Sequence, residues 1–265
     1  MKQPIPVAVL AGERPGGSAL ARHFQQPSSV LVALAGATPL EWAVRALQQS
    51  EAVHRGWLLG PEQQVLQDHP SAKAAIASLG LQWRAPKSGP AQTLLSLCQS
   101  VTTRPMLVTT ADHALLTAEI VDHFVSAADE HSADLVIGLV PYALVASRWP
   151  ASVRTQVRLR DGVFCGANLF MLRNAQADNA IALWRSFEAR RKKPWRLAQK
   201  LGYSTLLRYL LGQLSLAALG SRFSELSDCQ VRFVQLPFAR AAVDVDSVAD
   251  WHLAESELSS GASLP

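Results

Sequence analysis

Cysteine is scarce in this 265-residue chain. Its three cysteines, Cys98, Cys165 and Cys229, are spaced too widely for a disulfide framework or a CxxC zinc pair, which excludes a stapled secreted scaffold and a zinc module. Reduced core thiols are expected instead. Charge is also sparse: 17% of residues are charged against 49% hydrophobic, a balance that excludes a disordered or fibrous chain. No apolar run approaches the ~20 residues needed to span a bilayer. The opening Met-Lys-Gln-Pro-Ile-Pro reaches its apolar run at once and then meets Gly12, so a signal peptide's long apolar region is missing. A soluble cytoplasmic protein is expected.

Several catalytic signatures are missing too. No HExxH occurs, and the seven histidines suggest no metal site; surface or capping roles are expected for them, with His113 of interest only as the neighbour of Asp112. Without GxSxG there is no serine-hydrolase nucleophile turn. The formal charge of +4 hints at a polyanion partner, but Arg185 to Lys200 holds seven Lys or Arg against one Glu. That local excess of six is larger than the whole-chain excess, so the chain has one basic patch and no basic surface. Nucleic acid is not an expected partner. The patch reads as a solvated helix end, a site for an anionic acceptor, or a contact with anionic lipid or RNA.

What is present is alternation. Short apolar runs at Pro6–Leu10, Trp57–Leu59, Gln82–Trp83 and Met106–Thr109 read as strands. Between and after them lie helical patterns at Leu40–Gln49, Ala91–Val101 and Ala118–Ala128. Strand–helix alternation predicts βαβ units and a mostly parallel sheet, hence an α/β fold. Further strands are expected at Ala133–Val140, Gln156–Arg160, Val163–Leu172 (interrupted at Gly166) and Val231–Leu236, with a short extended piece at Ala242–Val245. A final helix is expected over Ser247–Glu257. Residues 174–226 read as helical, with Pro194 breaking or kinking the pattern. The economical organisation is one domain over residues 1–260, with a helical insertion at about 174–226 and a frayed tail at 261–265.

Ligands bind beyond the carboxyl ends of the strands in such sheets, and two of these ends carry suggestive residues. After the first strand comes Leu10-Ala11-Gly12-Glu13-Arg14-Pro15-Gly16-Gly17-Ser18. Glycines there can turn backbone N–H groups toward phosphate, and Arg14 offers a guanidinium fork. The spacing is neither GxGxxG nor a Walker A loop, and a plain surface turn is the alternative. After the fourth strand, Thr110-Ala111-Asp112-His113 places a carboxylate where a hard cation such as Mg²⁺ could be held, or where Asp112 could cap the next helix. Asp244 and Asp246 precede the last helix on one face by alternation, and Asp246 could equally cap it.

Together these pieces are more specific. The order LAG-x-R-x-GG, PLEWAV, TTADH-x-LL, G-x-N-L-F and DVDS-x-x-D resembles the MobA-like nucleotidyltransferases, relatives of molybdenum-cofactor guanylyl- and cytidylyltransferases, over essentially the whole chain. The resemblance implies a Rossmann-like GT-A fold, a three-layer α/β/α sandwich on a mostly parallel mixed sheet. It also implies Mg²⁺-dependent transfer of NMP from an NTP, with CTP or GTP favoured, to a small phosphorylated or hydroxylated acceptor with release of pyrophosphate. Residues Leu10 to Ser18 would wrap the triphosphate, with Arg14 touching it. Asp112 and Asp246 would hold the metal with Asp244 beside them. Lys87, Gly89, Pro90 and Thr93 would lie in the base-recognition loop, and Gly166 and Asn168 on the acceptor side. Two positions depart from the family pattern: Ser29 stands where a phosphate-binding lysine is expected, and Ala114 where a proline is usual. A GT-A-like glycosyltransferase or a catalytically impaired nucleotide-binding homologue are the alternatives. The sequence leaves the oligomeric state open.

Overall fold

A computed structural model describes residues 3–13, 16–188 and 202–260. Its strands are β1 (Ile5–Leu10), β2 (Val53–Leu59), β3 (Leu81–Arg84), β4 (Met106–Thr110), β5 (Leu135–Pro141), β6 (Val157–Leu159), β7 (Gly162–Leu172) and β8 (Val231–Gln235). The α-helices among the described residues are α1 (Ala19–His23), α2 (Pro39–Gln49), α3 (Gln63–Gln67), α4 (Pro70–Ser78), α5 (Pro90–Ser100), α6 (Ala118–Asp129), α7 (Tyr142–Arg148), α8 (Ala177–Glu188), α9 (Tyr203–Leu210), α10 (Leu216–Ser227) and α11 (Val248–Ser260). The sheet runs β3-β2-β1-β4-β7-β5-β8, with β6 paired to β7 off that path. Strand β7 is antiparallel to β4, β5 and β6, and the remaining pairs are parallel. The carboxyl ends of β1, β2, β4 and β5 therefore share one edge. None of the described helices is long and apolar enough to cross a membrane.

Period-two alternation sends the strand residues into two cores. Val7, Val9 and Leu107 face one, packed by Leu40, Val44 and Leu47 of α2 and by Ile120 and Phe124 of α6. Ala8, Leu10, Met106 and Val108 face the other, packed by Leu94 and Leu97 of α5 and Ile181 of α8. A sheet covered on both faces needs the continuous apolar runs that the sequence supplies. Helix α2 begins sharply because Thr38 and Glu41 form a reciprocal capping box with Pro39 at the first turn.

Two expectations are corrected in β7 and near the end of the chain. β7 does not break at Gly166. It bulges at Asn168, which has φ 49°, where the step from Ile137 to Leu139 on β5 is matched by the longer step from Phe170 to Gly166. The piece expected to extend from Ala242 begins as a 3₁₀ turn over Ala239–Ala242 and extends only from Val243. Helix α4 was not expected at all. It buries only Ala72 and Ile76, too small a stripe for periodicity to register. Most of the basic run, Pro194 and the 261–265 tail lie outside the described residues.

Candidate functional site

Three strand-end segments are tied together by backbone hydrogen bonds. The N–H of Ala11 donates to the Leu59 carbonyl (2.9 Å), that of Ala111 to Leu10 (2.8 Å), and that of Val245 to Asp112 (3.0 Å). The last bond draws the 243–246 loop onto the end of β4. As a result Asp112, Asp244 and Asp246 each offer an oxygen within 4.8 Å of the others. Asp112 and Asp244 are half-buried and Asp246 is exposed. Asp112 Oδ1 is fully buried with no hydrogen-bond partner among the described residues. Burial pushes the Asp112 carboxyl up to about 7; the Asp246 and Asp244 charges add to the rise, and the Thr110 hydroxyl opposes it.

The capping roles belong to other residues. Thr117 Oγ1 accepts from the Ile120 N–H at the start of α6 (3.3 Å). Ser247 Oγ accepts from the Asp250 N–H (3.2 Å) at the start of α11, and Asp250 Oδ2 accepts in return from the Ser247 N–H (3.0 Å). Ser247→Ala should therefore cost about 1 kcal/mol. Thermal unfolding in a chelator measures it, and an unchanged melting temperature would remove Ser247 from the cap.

Arg154 braces the acid cluster, and sequence reasoning did not single it out. Its Nη1 lies 3.3 Å from both Asp244 Oδ1 and the Asp244 carbonyl. Nη2 lies 2.7 Å from Asp250 Oδ1 as an ion pair without hydrogen-bond alignment, and Nε donates to Ser152 Oγ (3.0 Å). The side chain is only 6% exposed. Asp250 thus caps α11 with one oxygen and pairs Arg154 with the other.

The glycine loop sits beside this cluster. Gly12 and Gly60 pass so closely that a Cβ on Gly60 would meet the Gly12 Cα at 2.9 Å, and Pro86, just before the expected base loop, lies against Gly12. Leu10 and Ala11 are buried. Gly16 and Gly17 adopt positive φ (89° and 71°) with open space around them, and Arg22 Nη1 donates to both of their carbonyls (2.9 and 3.0 Å). Ser18 caps α1. Arg14 lies outside the described residues. Glu13 Oε2 accepts from both the N–H (2.8 Å) and the hydroxyl (3.2 Å) of Ser29. Ser29, at the position where the resemblance leads to a lysine, therefore holds a carboxylate in the loop.

In the base-loop candidate, Thr93 Oγ1 accepts from the Lys87 N–H and donates to the Gly89 carbonyl (both 2.8 Å), and Pro90 opens α5. Lys87 is exposed. Gly166 and Asn168 lie on β7 beyond its last pair with β4, Val108 with Phe170. Cys165 belongs to this stretch. Burial pushes its thiol up, and it also feels Arg154 and Asp244, which places this part of β7 beside the acid cluster. His113 corrects the expectation of a surface or capping role: it is 1% exposed, and burial lowers its imidazole to about 4.

Residues 7–155 match the family model described as the MobA-like NTP transferase domain. A solved hypothetical transferase from Thermus thermophilus is 30% identical, with TM-score 0.79, over 94% of this chain and 99% of that one. A CMP:2-keto-3-deoxy-manno-octonic acid synthetase complexed with CTP shares the fold at 9% identity and TM-score 0.58, covering 98% of this chain and all of the other. So does a 4-diphosphocytidyl-2C-methyl-D-erythritol synthase at 14% identity and TM-score 0.57, covering 97% of this chain and all of the other. The curated proteins give no match.

Proposed function

The chain belongs to the MobA-like NTP transferase domain family, and on that premise we propose that it is a cytoplasmic, Mg²⁺-dependent nucleotidyltransferase. It would move NMP from an NTP to a small phosphorylated or hydroxylated acceptor and release pyrophosphate. One observation carries the reading: Asp112, Asp244 and Asp246 converge within 4.8 Å at the edge where the glycine loop leaves β1.

These residues suit a hard cation. All three offer carboxylate oxygens, which Mg²⁺ prefers, and the bare, buried Asp112 Oδ1 is a costly arrangement unless a ligand satisfies it. Asp112 and Asp246 would hold the ion with Asp244 alongside. Bound there, Mg²⁺ supplies charge neutralisation for the phosphates and for the leaving pyrophosphate. The chain's own groups do the rest. Gly16 and Gly17, with open space around them, leave room for the triphosphate to approach the backbone, Gly12 starts the loop's turn past Gly60, and Arg14 contributes its guanidinium. The Lys87–Thr93 turn, fixed by the Thr93 hydroxyl, presents a rigid edge to the base. Gly166 and Asn168 border the acceptor, whose phosphate or hydroxyl attacks the α-phosphorus in line while pyrophosphate departs.

Thermal shift with ATP, CTP, GTP and UTP, with and without Mg²⁺, is the first test, and CTP leads because one structural neighbour is complexed with it. Pyrophosphate release across phosphorylated acceptors is the second. No NTP-dependent stabilisation and no turnover would end the proposal.

A second reading, a nucleotide-binding homologue with impaired catalysis, draws on the Glu13 carboxylate held by Ser29. Removing that charge should help an anionic ligand by about 1 kcal/mol, so Glu13→Gln is expected to tighten NTP binding roughly fivefold by calorimetry. An unchanged Kd would mean that the triphosphate does not approach Glu13.

A further inference from the structure

Large apolar side chains are exposed in one part of the chain. Among the described residues, all of them lie between residues 144 and 211. Val153 is 91% exposed and adjoins Arg154, whose guanidinium grips Asp244. Four residues on, Val157 (39% exposed) sits on the same face of β6 as Leu159, which is buried with Leu214 and Leu216. The tip of the β6–β7 hairpin is fastened to that turn: the Arg160 N–H donates to the Leu214 carbonyl (2.8 Å), and Asp161 accepts from the Leu216 N–H (3.0 Å). The turn in turn carries α9, a helix with no buried residue. Its Leu207, Leu210 and the following Leu211 are 57%, 71% and 60% exposed.

Basic residues prevail on this surface. Residues 142–160 and 202–224 contain six arginines, of which Arg158, Arg160 and Arg208 are exposed. Arg148 and Arg222 pair with Glu257 and Glu225, and the exposed Asp161 at the hairpin tip sets one carboxylate beside the three exposed arginines. An apolar strip rimmed by arginines, with leucines projecting from an otherwise uncovered helix, is the composition of a surface that settles into an anionic headgroup layer. Apolar side chains enter the acyl boundary, and cations near the surface are attracted to anionic lipid. We propose that this surface, carried by Val153, β6 and α9, docks on an anionic lipid surface. Docking needs no nucleotide, so it stands or falls separately from the nucleotidyltransferase reading.

The test is flotation of the full chain with phosphatidylcholine vesicles and with vesicles containing 30% phosphatidylglycerol, without nucleotide. Retention is expected on the anionic vesicles only, falling with salt. The variant Leu207→Ser/Leu210→Ser/Leu211→Ser should lose at least tenfold in vesicle affinity with an unchanged melting temperature. The separate variant Val153→Ser, at a nearly fully exposed position, should lose a smaller share and guards against misfolding of the first. No retention by wild type on anionic vesicles would overturn the proposal. So would retention that survives both variants, which would assign binding to the basic run at 185–200. A wild-type dimer split by the leucine variant, with no vesicle binding, would instead make this face a contact between two copies of the chain.

Discussion

Asp112→Asn is expected to raise the melting temperature of the metal-free protein at pH 8 and to abolish its stabilisation by Mg²⁺. The first half follows from linkage. The Asp112 carboxyl is held at about 7 in the folded protein against an ordinary 3.8. Between roughly pH 4 and pH 7 the unfolded chain gives up this proton while the folded chain keeps it. Stability from this group is therefore intact below pH 4, declines across that window, and is lowest above pH 7. A rise of this size corresponds to at most about 4 kcal/mol, and about 2–3 kcal/mol once the group's partly open side is allowed for. Asparagine has no charge to bury, so the variant should gain that amount at pH 8, and the two proteins should converge toward pH 4. The second half follows from ligand chemistry: a neutral amide oxygen is a poor substitute for carboxylate on a hard cation. At Mg²⁺ about a hundredfold above its dissociation constant, wild type gains ~2.7 kcal/mol and the variant should gain almost none. A variant that melts lower than wild type at pH 8 in chelator would contradict the burial of a bare charge. Full retention of the Mg²⁺ effect would remove Asp112 from the metal site.

The strands that build this site were legible because a sheet covered on both faces writes itself as runs such as Val7–Leu10 and Met106–Val108, with no polar residue inside them. The aspartates were legible only as two separate pairs of alternatives. Spacing could not choose between cap and ligand for Asp112 or Asp246, because either use asks only for a carboxylate beside a helix. The decision lay with Thr117 and Ser247, which take the caps. The Ser247-Val248-Ala249-Asp250 stretch carries the signal of a capping box, so this part could have been found. Arg154 could not. It sits in a segment without periodicity, and its partners are 90 and 96 positions away in sequence. The Glu13–Ser29 pair is similar: Ser29 was conspicuous as a missing lysine, but nothing in the sequence joins it to a carboxylate sixteen residues earlier. Long-range pairing of polar side chains is set by how the loops fold over the sheet edge, after the strands have fixed where those loops begin.

Arg154→Met is expected to be among the most damaging single changes at this site and to be partly reversed by Mg²⁺. The guanidinium is almost fully buried and neutralises Asp244 and Asp250 at once. Removing one partner of a buried ion pair leaves the other charge uncompensated, at a cost of about 3–5 kcal/mol, or roughly 10 °C in Tm for a chain of this size. Arg154→Lys should recover little, since an ammonium on a flexible stem cannot fork between two carboxylates as a planar guanidinium does. A purely structural brace predicts the same loss with and without divalent cation. If Asp244 instead belongs to a metal-holding set, the methionine variant leaves three carboxylates facing one another with less positive charge to offset them. Mg²⁺ should then stabilise Arg154→Met by more degrees than it stabilises wild type. Asp250→Asn separates the two roles of the arginine. It removes the 2.7 Å ion pair but keeps an oxygen able to cap α11, and it leaves Asp244 paired. Its melting temperature should fall less, and its response to Mg²⁺ should match that of wild type. Identical Mg²⁺ responses in Arg154→Met, Asp250→Asn and wild type would confine Arg154 to holding the loops together and take Asp244 out of the cation site, leaving Asp112 and Asp246 as the only pair to which the metal could be assigned.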